Sequence, residues 1–137
     1  MKKRNIYIVL CILSLCIGGG LYVLFRPNTY VAEFVRGLLT FLSPVFSRLE
    51  AVNNDFLKYY FPDFLWAFSL NCGLNAIFNT KKSHLINSVI VFVLSALWEM
   101  SQYLGIVSGT GDFIDVAMYF VAVGVILIFE IIHKTKE

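Results

Sequence analysis

Several carboxylate and amide side chains stand close together in a stretch that is otherwise apolar. Glu99 and Gln102 are three residues apart, and Asp112 and Asp115 follow across a short glycine-containing connection. Asp63 lies just before an earlier apolar run. A carboxylate in hydrocarbon costs roughly 2.5–3.5 kcal/mol, so it needs partners or water. We therefore predict that these five side chains form a ligand-binding set.

Clustered carboxylates allow three kinds of chemistry. They can hold a hard cation such as Mg²⁺ or Ca²⁺ through oxygen ligands, which makes a divalent cation the one cofactor to consider here. They can share or exchange a proton. They can also accept hydrogen bonds from the sugars or amines of a bound headgroup. The residue types leave these alternatives open.

The elements that must position these side chains are apolar helices. The chain has 137 residues, of which 58% are hydrophobic and only 15% are charged, whereas soluble domains are nearer half apolar and a quarter charged. A spanning helix needs about 20 residues. We predict one all-α membrane domain over residues 1–137, with four transmembrane helices near 6–25, 62–78, 84–104 and 112–132, the second being the shortest.

The first apolar run could also be a signal peptide, because Lys2, Lys3 and Arg4 precede it. It stays apolar for about 20 residues, and no pair of small residues marks a cleavage site after a shorter core. We expect an uncleaved anchor in the cell membrane.

Basic residues predict the orientation. They precede the first helix, occur as Lys81 and Lys82 between the second and third, and follow the fourth, while the hairpin 105–111 has none. The positive-inside rule then predicts that both termini are cytoplasmic and that this hairpin faces outward, together with the long segment 28–61.

Segment 28–61 carries an apolar stripe at helical spacing, which favours amphipathic helices that lie on the outer membrane surface or cap the bundle. Pro44 should split this segment near its middle, and Asn53-Asn54 should interrupt it again. A lid or docking surface for an amphiphilic ligand is the alternative.

Three further polar residues extend the predicted site. Asn71 and Asn75 follow Asp63 at multiples of four residues, and Ser95 lies one turn before Glu99. They could support the bundle through interhelical hydrogen bonds or line a path towards the middle of the membrane. Asp112 and Asp115 have the spacing of an N-cap and a third helical position, so helix capping is an alternative role for both. Pro62 and Asp63 suit the first turn of the second helix.

The sequence also argues against several functions. It has no basic patch with interleaved aromatic residues, so nucleic acid is not an expected partner. Cys11, Cys16 and Cys72 lack metal-ligand or redox spacing. His84 and His133 are far along the chain from the acidic residues, and no nucleophile–base pattern is present. The expected partners are the lipid bilayer and a lipid headgroup or other amphiphile, with oligomerisation open.

In the order Asp63, Glu99-Met-Ser-Gln102 and Asp112-Phe-Ile-Asp115, the chain resembles the VanZ-like family of small membrane proteins. That family places an acid in an early helix, then Glu-x-x-Gln, an Arg-containing outer hairpin and Asp-x-x-Asp. The resemblance covers about 62–124. It departs from the family pattern in having no Arg in 105–111 and in having Tyr119 where Asn is expected.

The resemblance implies a non-enzymatic protein of the cell envelope, because the name-giving member is associated with low-level resistance to the lipoglycopeptide teicoplanin. Without the bidentate Arg fork, this acidic site should prefer cations or neutral hydroxyl-rich groups to anions. The rival hypotheses are a small proton- or cation-coupled transporter that uses Glu99, and a structural or assembly subunit. A metal-dependent lipid hydrolase ranks below both.

Overall fold

The protein is helical throughout the part that the computed structural model describes, which is residues 3–25, 30–50, 54–78, 80, 83–107 and 111–134. No strand occurs in these ranges. The helices are α1 (Lys3–Phe25), α2 (Tyr30–Leu38), α3 (Ser43–Glu50), α4 (Phe61–Ile77), α5 (Ser83–Tyr103) and α6 (Phe113–Lys134), with a 3₁₀ turn at Thr40–Leu42 and a π-helical turn at Phe56–Tyr60. The bounds of α1, α4, α5 and α6 lie within a few residues of the predicted spans.

Among the described residues, three helices, rather than the four predicted, are long and apolar enough to cross a membrane. They are α1, α5 and the Phe113–Ile132 part of α6. The helix that falls short is α4, with 17 residues. At 1.5 Å per residue its length is about 26 Å, against about 30 Å for the hydrocarbon core of a bilayer.

This shorter helix lies at the centre of the bundle. It packs against α1, α5 and α6, and its buried residues include Ala67, Asn71 and Cys72. The other three helices expose many large apolar side chains, such as Ile12, Ile90 and Ile128. Lipid is the solvent in which such exposed apolar faces are stable, whereas α4 finds its partners inside the protein.

Pro62 and Asp63 lie in the first turn of α4, as predicted, but another helical turn precedes it. The π-helical turn runs directly into α4, and the Phe61 N–H donates to the carbonyl of Phe56, five residues back. Pro62 has no N–H and cannot bond to the carbonyl of Lys58 in the usual way, which is a local reason for the wider turn. This turn places Tyr59 and Tyr60 beside the first residues of α4.

The described part of segment 28–61 includes two short helices, α2 and α3, and both contact α1. The break between α2 and α3 is the 3₁₀ turn just before Pro44, which lies in the first turn of α3 as its ring prefers. Arg36 donates to the carbonyl of Val23 at 3.0 and 2.8 Å and to that of Leu24 at 2.8 Å. It thereby satisfies carbonyls that end α1 without helical partners.

The start of α1 and the end of α6 lie at the same end of the bundle, because Lys3 pairs with Glu130. We call this the Lys3 end. The opposite end, where α4 and α6 begin and α5 ends, is the acidic end. Lys2, Lys81, Lys82 and Lys136, on which the predicted orientation partly depends, lie outside the described residues.

Candidate functional site

A cavity of about 1090 Å³ runs along α4 between α1 and α5, and we call it the acidic groove. Its lining includes residues from Asp63 at the start of α4 to Ile77 at its end. The structure brings all five predicted ligand-binding residues, and Ser95, to this groove: Asp63, Ser95, Glu99, Gln102, Asp112 and Asp115.

Glu99 is the most buried acid of the groove, with 5% of its surface exposed. Its Oε1 accepts a hydrogen bond from the hydroxyl of Tyr119 at 2.9 Å. Its Oε2 accepts one from the backbone N–H of Asp112 at 3.2 Å. Both donors are neutral, so the carboxylate is hydrogen-bonded without being neutralised. Tyr119 stands where the VanZ-like pattern has Asn, and its hydroxyl binds Glu99, the most buried acid of the groove.

The hairpin between α5 and α6 holds this arrangement in place. Asp112 Oδ1 accepts a hydrogen bond from the N–H of Ile114 at 3.1 Å, which confirms Asp112 as the cap of α6. Gly111 packs so closely on α5 that a Cβ there would lie 2.6 Å from the backbone nitrogen of Tyr103. Gln102 lines the groove together with Glu99, and no hydrogen bond joins their two side chains in the described structure.

The walls of the groove are aromatic at the acidic end and apolar further along. The aromatic side chains are Tyr59, Tyr60, Trp66, Trp98 and Tyr119. Leu15, Leu70, Leu74, Ile77 and Leu94 line the rest. The sequence analysis did not predict this aromatic wall. Trp98 is adjacent to Glu99 and Tyr60 is three residues before Asp63, so both could have been included in the predicted site.

Two basic side chains have partners away from the groove, since Lys3 pairs with Glu130 and Arg36 binds the end of α1. Lys58 is not in the lining, but its ammonium lies 5.1 Å from the ring centroid of Tyr59, which is. Among the described residues that line the groove, none is Lys, Arg or His. The described part of the chain also contains no group of three or more His, Cys, Asp or Glu residues placed to hold a metal ion.

Asn71 and Asn75 are absent from the described lining of the groove and lie in a separate buried network with α5. Asn71 donates to Ser88 at 3.1 Å, and Asn75 donates to Asn71 at 2.9 Å. The Oδ1 atom of Asn75 also lies 2.8 Å from Nδ1 of His84 and accepts from Asn87 at 2.9 Å. Steps of four residues overshoot a 3.6-residue turn, so Asn71 is rotated about 80° from Asp63 and Asn75 about 120°.

The same network continues to α1 and α6 at the Lys3 end. Glu130, 5% exposed, accepts hydrogen bonds from Lys3 Nζ at 2.7 Å and from the hydroxyl of Tyr7. His84 Nε2 lies 3.5 Å from the same carboxylate. We call the whole set the Lys3-end network: Lys3, Tyr7, Asn71, Asn75, His84, Asn87, Ser88 and Glu130. Sequence reasoning missed Glu130 as a partner, although a lone acid inside an apolar run was a sufficient signal.

A buried apolar cluster, which we call the apolar layer, packs α4, α5 and α6 together through Ala67, Val91, Ala122, Val123 and Tyr119. Two of its members, Ala67 and Tyr119, also line the acidic groove. Asn71 and Asn75, which the sequence suggested as part of a path towards the middle of the membrane, are not in the described lining of the groove.

The chain was compared with models of known families, with curated proteins and with solved structures, and none of them matches.

Proposed function

We propose that this chain is a non-enzymatic, VanZ-like protein of the cell envelope that holds an amphiphilic ligand in the acidic groove. The observation that carries the proposal is the change in lining along one cavity. Carboxylates and aromatic rings surround one end, and aliphatic side chains surround the other. A headgroup and an apolar tail match these two ends, as in a lipid or a lipoglycopeptide.

In this proposal α4 crosses the membrane with α1, α5 and α6, which makes four spans. Its 17 residues reach the lower limit for a spanning helix, and its neighbours on three sides cover its polar side chains. The positive-inside pattern of the sequence then places the acidic end outside the cell and the Lys3 end in the cytoplasm. The groove would meet ligands that arrive from the outer leaflet.

The chemistry of the groove favours binding over catalysis. Glu99 already accepts two hydrogen bonds, and Asp112 caps α6. Cys11 is the only cysteine among the described residues of the lining, and it lies at the apolar end, away from a base. Covalent catalysis needs a nucleophile within hydrogen-bond reach of its base.

A cation-coupled transporter is the second candidate, and one observation favours it. A second buried carboxylate, Glu130, lies at the other end of the bundle with His84 and Tyr7 beside it. Transport would require the apolar layer around Val91 and Ala122 to open. A flux in proteoliposomes that follows an imposed gradient and disappears in Glu99→Gln would favour this candidate.

The binding proposal is tested by lipoglycopeptide susceptibility of cells that express the wild type, Glu99→Gln or Glu33→Gln at matched membrane abundance. Glu33 is an exposed glutamate of α2 outside the described lining, so its variant is the matched control. We expect protection by the wild type and by Glu33→Gln, and its loss in Glu99→Gln. Equal protection by all three would remove Glu99 from the site, and protection by none would overturn the proposed function.

A further inference from the structure

We propose that the acidic groove selects amphiphiles with a net positive headgroup, namely an organic ammonium ion on an alkyl tail. This inference rests on the proposed function and specifies its ligand class. It is argued from the charge of Glu99, the aromatic wall and the shape of the groove.

The first argument is the charge of Glu99. Only 5% of the surface of this residue is exposed. Its partners in the described structure are the hydroxyl of Tyr119 and the backbone N–H of Asp112, and neither carries a charge. Burying a charge without an opposite charge is costly. Since no described residue of the lining is basic, a cationic ligand would supply the missing opposite charge.

The second argument separates organic from inorganic cations. A protein site that encloses Ca²⁺ gathers several carboxylate and carbonyl oxygens around the ion, and the described residues contain no group of three or more His, Cys, Asp or Glu side chains that could hold a metal ion. An alkylated ammonium ion is bound instead by aromatic faces beside a carboxylate. The acidic end of the groove offers Tyr60, Trp66, Trp98 and Tyr119 together with Glu99.

The third argument concerns the rest of the ligand. From Asp63 to Ile77 the groove follows α4 over about 21 Å, at 1.5 Å per residue. Its far part is lined by Leu70, Leu74 and Ile77, which suits an alkyl tail. A zwitterionic phosphocholine head would bring a phosphate towards the same carboxylates, where the described lining contains no Arg or Lys to receive it. The groove should therefore prefer a net cation to a phospholipid headgroup.

Intrinsic fluorescence provides a direct measurement of binding. The chain has only two tryptophans, Trp66 and Trp98, and both line the groove. Purified full-length protein in maltoside micelles would be titrated with three ligands that share one tail: dodecyltrimethylammonium, dodecylphosphocholine and dodecyl glucoside. We expect the ammonium compound to bind about tenfold more tightly than the glucoside.

The variants locate the selectivity. Glu99→Gln should remove the preference for the ammonium compound over the glucoside, while Glu33→Gln should retain the preference of the wild type. Trp98→Leu, read through Trp66, should weaken ammonium binding several-fold more than glucoside binding. This second variant keeps Glu99 and its hydrogen bonds, so it tests the site even where Glu99→Gln alters the hairpin.

Each other outcome has a definite meaning. Equal affinity for all three ligands would overturn the cation preference and leave the proposed function standing. Equal affinity for the ammonium and phosphocholine compounds alone would identify a lipid headgroup and overturn the net-cation statement. A preference that persists in both Glu99→Gln and Trp98→Leu would overturn the assignment to this end of the groove. No binding by any ligand would overturn the inference and the proposed function together.

Discussion

Two buried glutamates at opposite ends of the bundle have the same exposure and opposite surroundings. Glu99 and Glu130 are each 5% exposed, and each accepts a hydrogen bond from a tyrosine hydroxyl. Glu130 also binds the ammonium of Lys3 at 2.7 Å, whereas the second partner of Glu99 is the backbone N–H of Asp112. One carboxylate is paired with an ammonium that joins α1 to α6, whereas the described partners of the other are neutral donors beside an open groove.

Because Glu99 and Glu130 are equally buried, burial alone does not distinguish a binding site from a structural polar cluster. The Lys3-end network ties α1, α4, α5 and α6 together through partners that satisfy one another. The acidic groove also contains a buried glutamate bound by a tyrosine hydroxyl, but its described lining has no basic side chain and surrounds a cavity of about 1090 Å³. A polar cluster that satisfies itself stabilises a fold, and one that faces a cavity can bind a ligand.

The largest expected effect is on stability, from Glu130→Leu. The substitution leaves the ammonium of Lys3 and the hydroxyl of Tyr7 without their acceptor, and removing one partner of a buried ion pair is strongly destabilising. We expect a loss of about 3 kcal/mol in the free energy of unfolding, measured by denaturant titration in micelles.

The matched control is Glu33→Leu on the exposed face of α2, which should change the free energy of unfolding by less than about 0.5 kcal/mol. Adding Lys3→Met to Glu130→Leu should recover part of the loss, because both charges are then gone. A loss below about 1 kcal/mol for Glu130→Leu alone would contradict the view that the Lys3-end network clamps the bundle.

A smaller loss is expected from Gly111→Ala at the acidic end. The new Cβ would lie 2.6 Å from the Tyr103 nitrogen and 2.8 Å from the Glu99 carbonyl oxygen, both backbone atoms, so the hairpin must move. We expect a loss of about 1–3 kcal/mol in unfolding free energy. Ligand quenching of tryptophan fluorescence should weaken with it, because Asp112 moves with the hairpin.

Gly124→Ala is the control for this prediction, since a Cβ at Gly124 meets no atom within 4 Å. Alanine also has the higher helix propensity, so this variant should be at least as stable as the wild type. If Gly111→Ala were as stable as Gly124→Ala, the close packing of the hairpin on α5 would be wrong.

The smallest and most discriminating effect is expected from removing each tyrosine hydroxyl in turn. Tyr119→Phe and Tyr7→Phe should each cost about 0.6 kcal/mol of unfolding free energy, typical of a hydrogen bond between membrane helices. Only Tyr119→Phe should change ammonium binding, because Tyr119 lines the groove and Tyr7 contacts Glu130. Equal changes in binding would show that the two ends of the bundle are coupled.

Local features of the chain were sufficient to predict the long helices and to predict which acidic residues lie together at the acidic end. The long apolar runs form helices. Because a short connection makes α5 and α6 neighbours, Glu99 near the end of α5 lies close to Asp112 and Asp115 at the start of α6. The cap at Asp112 is also a local property, since its acceptor and the Ile114 N–H are two residues apart.

Tertiary packing decided which polar residues face the groove and which satisfy one another. Lys3 and Glu130 are 127 residues apart, and no local pattern relates them. Asn71 and Asn75 follow Asp63 at multiples of four residues, which rotates them progressively away from Asp63 around α4. Asn71 therefore contacts Ser88 of α5, and Asn75 contacts Asn71, within the Lys3-end network. Helical periodicity determines the faces of one helix. The neighbour that each face meets depends on how four helices fill space together.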